Sequence, residues 1–313
     1  MQPLRLCGHL FYVKRDDLIH PAFSGNKFRK LQSLIDTPAE RYDTLVSYGG
    51  VQSNAMLSLA HLAAMKGWRF RYWVKGVPKT VARRPEGNYA QALRLGMEME
   101  SLGYEKFYEK IQKARSALTK RSLFVPQGGA DPIAEAGVAR LAEEIEAWRR
   151  ATGLDRLGVV TPSGTGTTAL YLRRHLPKTV AVYTVPVVGD ETILHAQWRR
   201  LALPGEALPT VLPYTPHPFA KPRPDYLRIW RALAAAGVVF DLIYAPPTWL
   251  ALLAAYERLV RPVLYVHSGG ITGNGTQLDR YRRGGMWEEA KQPRSRGRNE
   301  PFIQTFKSKT VLQ

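Results

Sequence analysis

Cysteine is nearly absent: Cys7 is the only one in 313 residues. A disulfide framework and a cysteine-based zinc site are therefore excluded, and a reducing compartment, the cytoplasm, is expected. No apolar run approaches the roughly 18 residues of a membrane span, and residues 1–10 lack a basic stretch followed by a long apolar one, so no secretory signal is expected. The G-x-S-x-G elbow is missing, which leaves serine-hydrolase chemistry little support. His9, His20, His61, His175, His195 and His217 lack ligand-like spacing, and His267 stands alone in a polar loop, so no metal is expected. Acidic residues are scarce, 26 Asp and Glu against 45 Lys and Arg, for a formal net charge of +19. That excess raises nucleic-acid binding as a possibility. The cations, however, are spread along the whole chain in pairs such as Arg83-Arg84 and Arg282-Arg283. Several pairs close helices, where positive charge suits the dipole. A basic surface is the favoured reading, with nucleic-acid binding kept as the non-enzyme alternative.

Hydrophobic residues make up 45% of the chain, enough for a large core, and the length allows two domains. Short apolar runs at 44–48, 69–74, 122–125, 157–161, 180–185, 238–244 and 263–266 predict strands. Helical periodicity at 55–66, within 87–103, and at 133–150, 169–175, 192–203, 225–236 and 248–260 predicts helices between them. This alternation is the pattern of parallel α/β sheets. Residues 1–42 with 152–290 are expected to form a larger domain, and 43–151 a smaller one. Residues 204–224 hold seven prolines and predict a rigid irregular loop. Residues 291–313, with six Lys or Arg and one Glu, predict a mobile basic tail.

Lys27 lies in Ser24-Gly25-Asn26-Lys27-Phe28-Arg29-Lys30-Leu31, where Phe28, Leu31, Leu34 and Ile35 recur at helical spacing. A helix therefore begins at or just before Lys27, and the positive end of its dipole lowers the lysine pKa. A neutral amine beside a glycine, where a flat ligand can approach the backbone, suits imine formation. A solvated surface lysine is the competing reading. Four polar loops follow strands, where ligands bind in open α/β sheets. The first, Thr161-Pro162-Ser163-Gly164-Thr165-Gly166-Thr167-Thr168, combines hydroxyls, glycine backbone and a helix N-terminus, which suits a phosphate. It also fits the G-x-G-x-x-A form of the dinucleotide fingerprint, but the following strand ends at Val185-Pro186 without the acid that would meet a ribose. The others are Gly49-Gly50-Val51-Gln52-Ser53-Asn54, the glycine-rich His267-Ser268-Gly269-Gly270, and the strand end at Tyr244, each of which is also compatible with an ordinary turn, cap or packing role.

Taken in order, Lys14-Arg15-Asp16-Asp17-Leu18, Gly25 to Leu31, Gly49 to Asn54, Pro85-Glu86-Gly87-Asn88, Pro126-Gln127-Gly128-Gly129 and the hydroxyl-rich loop resemble the fold-type-II pyridoxal-phosphate enzymes. Within these, the chain is similar to the 1-aminocyclopropane-1-carboxylate deaminase and D-cysteine desulfhydrase family, from about Tyr12 to Asn274. The resemblance implies two open parallel-sheet domains of the tryptophan synthase beta kind, with pyridoxal 5'-phosphate in the cleft between them. Lys27 would hold the cofactor as a Schiff base and move the α-proton. Asn54 would bond its ring hydroxyl, and Ser163, Gly164, Thr165, Gly166, Thr167 and Thr168 its phosphate. Ser53 would meet the substrate carboxylate or act in proton transfer, Tyr244 would be catalytic, and Ser268 would face the pyridine nitrogen. The implied partners are a small amino-acid substrate and a second copy of the chain.

The substrate side departs from the family pattern. After Tyr244 stands Ala245-Pro246-Pro247 in place of Glu or Thr followed by Gly-Lys, Ala55 follows Asn54 where a polar residue is usual, and Phe219 stands in place of a tyrosine. The expected function is a lyase or deaminase that eliminates a β-substituent, desulfhydrase-like. Cyclopropane ring opening and a cofactor-binding protein of low activity are the alternatives.

Overall fold

The computed structural model describes residues 1–20, 23 and 25–289. Ten strands occur among them: β1 Gln2–Leu6, β2 His9–Lys14, β3 Thr44–Tyr48, β4 Arg69–Val74, β5 Met97–Ser101, β6 Ser122–Phe124, β7 Leu157–Ser163, β8 Val180–Pro186, β9 Thr210–Val211 and β10 Val263–Val266. The chain divides into two compact units. One comprises Met1–Arg15, Ala142–His267 and the described residues from Gln277 onward, and the other Asp16–Leu141 with Ser268–Thr276.

The first unit carries a sheet in the order β1-β2-β10-β7-β8-β9. All of its pairs are parallel except β1 with β2, an antiparallel edge hairpin. Every residue of β7 is buried. A strand covered on both faces reads as a continuous apolar run, which is why 157–161 was legible as a strand. Phe11, Val160, Val185, Phe240, Trp249 and Tyr265 lie in the main core of this unit.

The second unit carries four parallel strands in the order β5-β4-β3-β6. Its main core joins Leu45, Phe70 and Tyr72 to Met56, Leu59 and Leu62 of the helix Asn54–Lys66. Leu31 and Leu34 enter the same core. Their burial groups residues 16–42 with this sheet, whereas the sequence reading assigned them to the larger domain.

Parallel α/β organisation is as expected, with local differences. Residues 238–244 form no strand. Side chains take the backbone groups that a ladder would need: Trp230 Nε1 donates to the Phe240 carbonyl at 2.7 Å, His267 Nε2 to the Val239 carbonyl at 2.9 Å, and Asp241 Oδ1 accepts from Ile243 N at 3.0 Å. The next helix, Ala245–Ala255, begins three residues before the expected 248 because Pro246 and Pro247 occupy its first turn, where a missing N–H costs nothing. The helix expected over 192–203 is Glu191–Trp198. β1, β5 and the helix Phe107–Ser116 were not foreseen; the last two are largely polar, burying only Met97 and the pair Phe107 and Ile111. The proline-rich stretch contains only the two residues of β9 as regular structure before the helix Pro224–Ala235. The expected mobile tail, 291–313, and Ser24 lie outside the described residues.

Candidate active site

The helix bearing Lys27 spans only Gly25–Lys30. Isolated helices shorter than roughly 12 residues are marginal in water, so tertiary bonds must hold it. At its start Gly25 takes φ +51°, and a Cβ there would lie 2.1 Å from the Ser268 carbonyl oxygen. The same oxygen accepts from Asn26 N at 3.1 Å. Glycine is required here twice over, for the left-handed backbone and for the close approach. At its end Arg29 makes a bidentate pair with buried Asp16, both bonds 3.0 Å. Lys30 is buried and donates to the Gly128 carbonyl at 3.1 Å. Burial pulls the Lys30 pKa well below its ordinary value, and the neighbouring Lys27 charge adds to the effect. Lys27 Nζ donates to Asn26 Oδ1 at 3.2 Å. Lys27, Leu31, Ala55 and Leu59 line one narrow crevice, so the lysine faces the first turns of the helix Asn54–Lys66.

That helix is capped by Ser53, whose Oγ accepts from Ala55 N at 3.2 Å and Met56 N at 3.4 Å. Asn54 Oδ1 accepts from Asn88 Nδ2 at 2.7 Å. Asn88 is buried in the helix Gly87–Arg94. Gly87, at φ +59°, has no side chain to strike Thr276 Cγ2, which a Cβ would approach to 2.6 Å. Sequence reasoning quoted Gly87-Asn88 as a motif but gave Asn88 no role. The signal was the glycine that lets the asparagine approach.

Lys27, Ser53, Asn54 and Ser268 thus belong to one unit, and residues 163–168 and Tyr244 to the other. In the latter, Ser163 ends β7. Its hydroxyl lies 2.6 Å from Thr184 Oγ1, which itself donates to the Thr161 carbonyl at 2.7 Å. The Ser163 proton is therefore committed to Thr184. Thr165 and Thr167 hydroxyls lie 2.9 Å apart at the start of the helix Thr167–His175, and the buried Thr168 Oγ1 has no hydrogen-bond partner among the described residues. Gly166 caps this helix at φ +72°, with its carbonyl accepting from Trp198 Nε1 at 3.0 Å.

Tyr244 packs on the same loop: a Cβ on Gly164 would lie 3.5 Å from its ring and hydroxyl. Its backbone N–H donates to Asp241 Oδ1 at 2.5 Å. Burial and the nearby Asp241 carboxylate push the Tyr244 hydroxyl well above the ordinary phenol range, so it is a neutral donor at pH 7. Asp241 is itself raised to about 6 by burial, against the opposing pull of backbone N–H groups. Phe219 meets the Tyr244 ring edge-on at 5.9 Å. His267 is fully buried, stacked on Phe240 at 4.4 Å and bonded to Val239, a packing role. Among the described residues no cluster could hold a metal ion.

A lysine at the start of a buried short helix and a separate glycine- and hydroxyl-rich helix start are accompanied by a direct match of residues 2–211 to the family described as pyridoxal-phosphate dependent enzyme. The chain belongs to this family. Pyridoxal phosphate is its cofactor. Among curated relatives, a "Putative 1-aminocyclopropane-1-carboxylate deaminase" of Pyrococcus furiosus is 26% identical over 295 residues, covering 86% of this chain and 87% of the relative. A D-cysteine desulfhydrase of Serratia proteamaculans is 29% identical over 292 residues, covering 84% and 87%. The crystal structure of an ACC deaminase homologue superposes with a TM-score of 0.72 at 24% identity, covering 89% of this chain and 92% of that one. The T.th. threonine deaminase gives 0.64 at 17% identity, covering 86% and 91%. Identities this low show a shared fold. The donor set in this structure also fits the cofactor: the partnerless Thr168 hydroxyl, the Thr165 and Thr167 hydroxyls and a helix N-terminus suit its phosphate, and the chemistry of a primary amine at Lys27 suits its aldehyde.

Proposed function

We propose that this enzyme is a lyase or deaminase that removes the α-proton of a small amino acid and expels its β-substituent, with D-cysteine as the type of substrate. The seating of Lys27 carries the reading. Its helix is fixed at both ends by Ser268 and Asp16, and Lys27 shares one crevice with Ala55 and Leu59 of the helix that Ser53 caps. In this reading Lys27, Ser53 and Tyr244 do the chemistry. Asn54, Ser268 and residues 163–168 join Lys27 in holding the cofactor. Bound pyridoxal phosphate supplies an electron sink that acidifies the substrate's α-carbon proton. Lys27 Nζ takes that proton. The Ser53 hydroxyl, whose oxygen accepts two backbone N–H groups and whose side chain hydrogen-bonds the Tyr72 hydroxyl, would turn its proton from Tyr72 to the substrate carboxylate. Neutral Tyr244 can donate its hydroxyl proton to a departing sulfur. With D-cysteine and water the products are pyruvate, ammonia and hydrogen sulfide.

Ring opening of 1-aminocyclopropane-1-carboxylate is the second reading, supported by the names of relatives. Against it, no acid follows Tyr244; Ala245-Pro246-Pro247 stands there, buried. Asp241, the acid three residues before it, is spent on backbone N–H groups. The deciding assay incubates the loaded enzyme separately with D-cysteine, L-cysteine and 1-aminocyclopropane-1-carboxylate. Sulfide with 2-oxo acid and ammonia supports elimination. The 2-oxo acid and ammonia from the cyclopropane substrate, with no sulfide from either cysteine, would replace it with the second reading. Lys27→Ala should abolish turnover and the borohydride-stable mass increase on this residue; retained turnover refutes the lysine assignment.

A further inference from the structure

Among the described residues, the only group assigned to the cofactor that Asn88 hydrogen-bonds is Asn54, and its bonds fix which end of the Asn54 amide is free. One Asn88 amide atom lies 3.1 Å from the Gln52 backbone carbonyl, a group that can only accept, so this atom is the Nδ2 donor. The same Nδ2 lies 2.7 Å from the Asn54 amide, which must present Oδ1 to it. The opposite end of Asn88, Oδ1, accepts from Thr272 Oγ1 at 3.1 Å. A flipped Asn88 would set carbonyl oxygen against carbonyl oxygen at Gln52 and lose its bond to Asn54. Gln52 is itself held, its Nε2 donating to the Glu86 carbonyl at 3.1 Å and its Oε1 accepting from Tyr89 N at 3.4 Å. With Asn54 Oδ1 occupied, Asn54 Nδ2 is left as a donor with no partner among the described residues.

We infer that Asn88, locked by Gln52 and Thr272, is a positioning residue that holds Asn54 with its N–H donors turned to the cofactor's ring oxygen, favouring the anionic form of that oxygen. This rests on the assignment of Asn54 to the cofactor made above. The logic is one of polarity rather than contact. An asparagine free to rotate offers donor or acceptor equally, and an acceptor would repel an oxygen anion. A fixed donor favours the anion, so the ring oxygen keeps its charge to a lower pH.

The test uses the full-length enzyme loaded with pyridoxal phosphate, wild type beside Asn88→Asp, Thr272→Val and Asn54→Ala. The readouts are the pH titration of the bound chromophore's visible band, the cofactor Kd from titration of apoenzyme, and the apoenzyme's melting temperature. Asn88→Asp keeps the shape of the side chain but has no donor, so Asn54 must turn its own Nδ2 inward and its oxygen outward. The band should then titrate about one pH unit or more higher, with a tenfold or greater loss of cofactor affinity, the scale of a charge-assisted hydrogen bond. Thr272→Val, at a half-exposed site, should move the titration in the same direction by less, and it serves if Asn88→Asp does not fold. A purely packing role would lower the melting temperature and leave the titration where it is. The inference fails if Asn54→Ala shifts the band while Asn88→Asp and Thr272→Val do not. If wild type takes up no cofactor, or Asn54→Ala moves nothing, the assignment of Asn54 fails and the inference with it.

Discussion

Cutting the Asp16–Arg29 pair should do more damage than removing both of its members. Asp16 is fully buried and Arg29 is 6% exposed, and the two bonds form a planar fork at 3.0 Å. Asp16→Ala removes the bidentate acceptor of a buried guanidinium. Such one-sided cuts cost about 3–5 kcal/mol, a large share of the roughly 5–15 kcal/mol that stabilises a folded protein. Arg29→Met alone removes both guanidinium bonds from the buried carboxylate and should cost about the same. If the two losses were independent, the double variant would lose about 6–10 kcal/mol. Because the Met side chain can fill the space and both charges of the pair are removed, the double variant should instead lose no more than either single one. The coupling is then about 3 kcal/mol or more. Urea unfolding of all four proteins, followed by circular dichroism and by hydrogen exchange of the peptide containing 25–36, measures it. Exchange is the sharper probe, because the six-residue Lys27 helix has little stability of its own. Additive losses, or single losses below about 1 kcal/mol, would refute the claim that this pair anchors the lysine helix.

Gly166→Ala should destabilise the first unit by about 2–4 kcal/mol, from a left-handed backbone and an overfilled core, because the new Cβ would lie 2.4 Å from both Leu194 Cδ1 and Trp198 Nε1; an unchanged urea midpoint would contradict the packing. Asp241 has a folded pKa raised to about 6 from an ordinary 3.8, so the folded state holds the proton more tightly than the unfolded one. Its contribution is therefore fully present below about pH 4 and is lost as pH rises through 6, on the order of 2–3 kcal/mol. Asn keeps the accepting oxygen without the charge, so Asp241→Asn should flatten that part of the stability profile; an unaltered slope between pH 4 and 6 would show that Asp241 is not the group responsible. If the chain pairs with a second copy, as the family resemblance implies, light scattering should give twice the 35.2 kDa chain mass, and a value near one chain mass would exclude it at the concentration used.

The sequence by itself determined the alternation of strands and helices, because parallel strands buried on both faces leave continuous apolar runs such as Leu157 to Thr161, and helices such as Asn54–Lys66 close on a glycine. It also singled out Lys27 and residues 163–168, since a glycine beside a lysine and hydroxyls at a helix start are local patterns. Partnering is not local. Whether 238–244 pairs as a strand depended on Trp230, His267 and Asp241 reaching its backbone groups first. His267 lies in a polar loop by sequence, and the fold stacks it on Phe240. Ser163 looked like a free donor until β8 brought Thr184 to within 2.6 Å. Asn88 acquired its place only when the helix after Gly87 was laid against Gln52 and Asn54. Hydrogen-bond polarity depends on groups from distant parts of the chain meeting within about 3 Å, and only tertiary structure decides which groups those are.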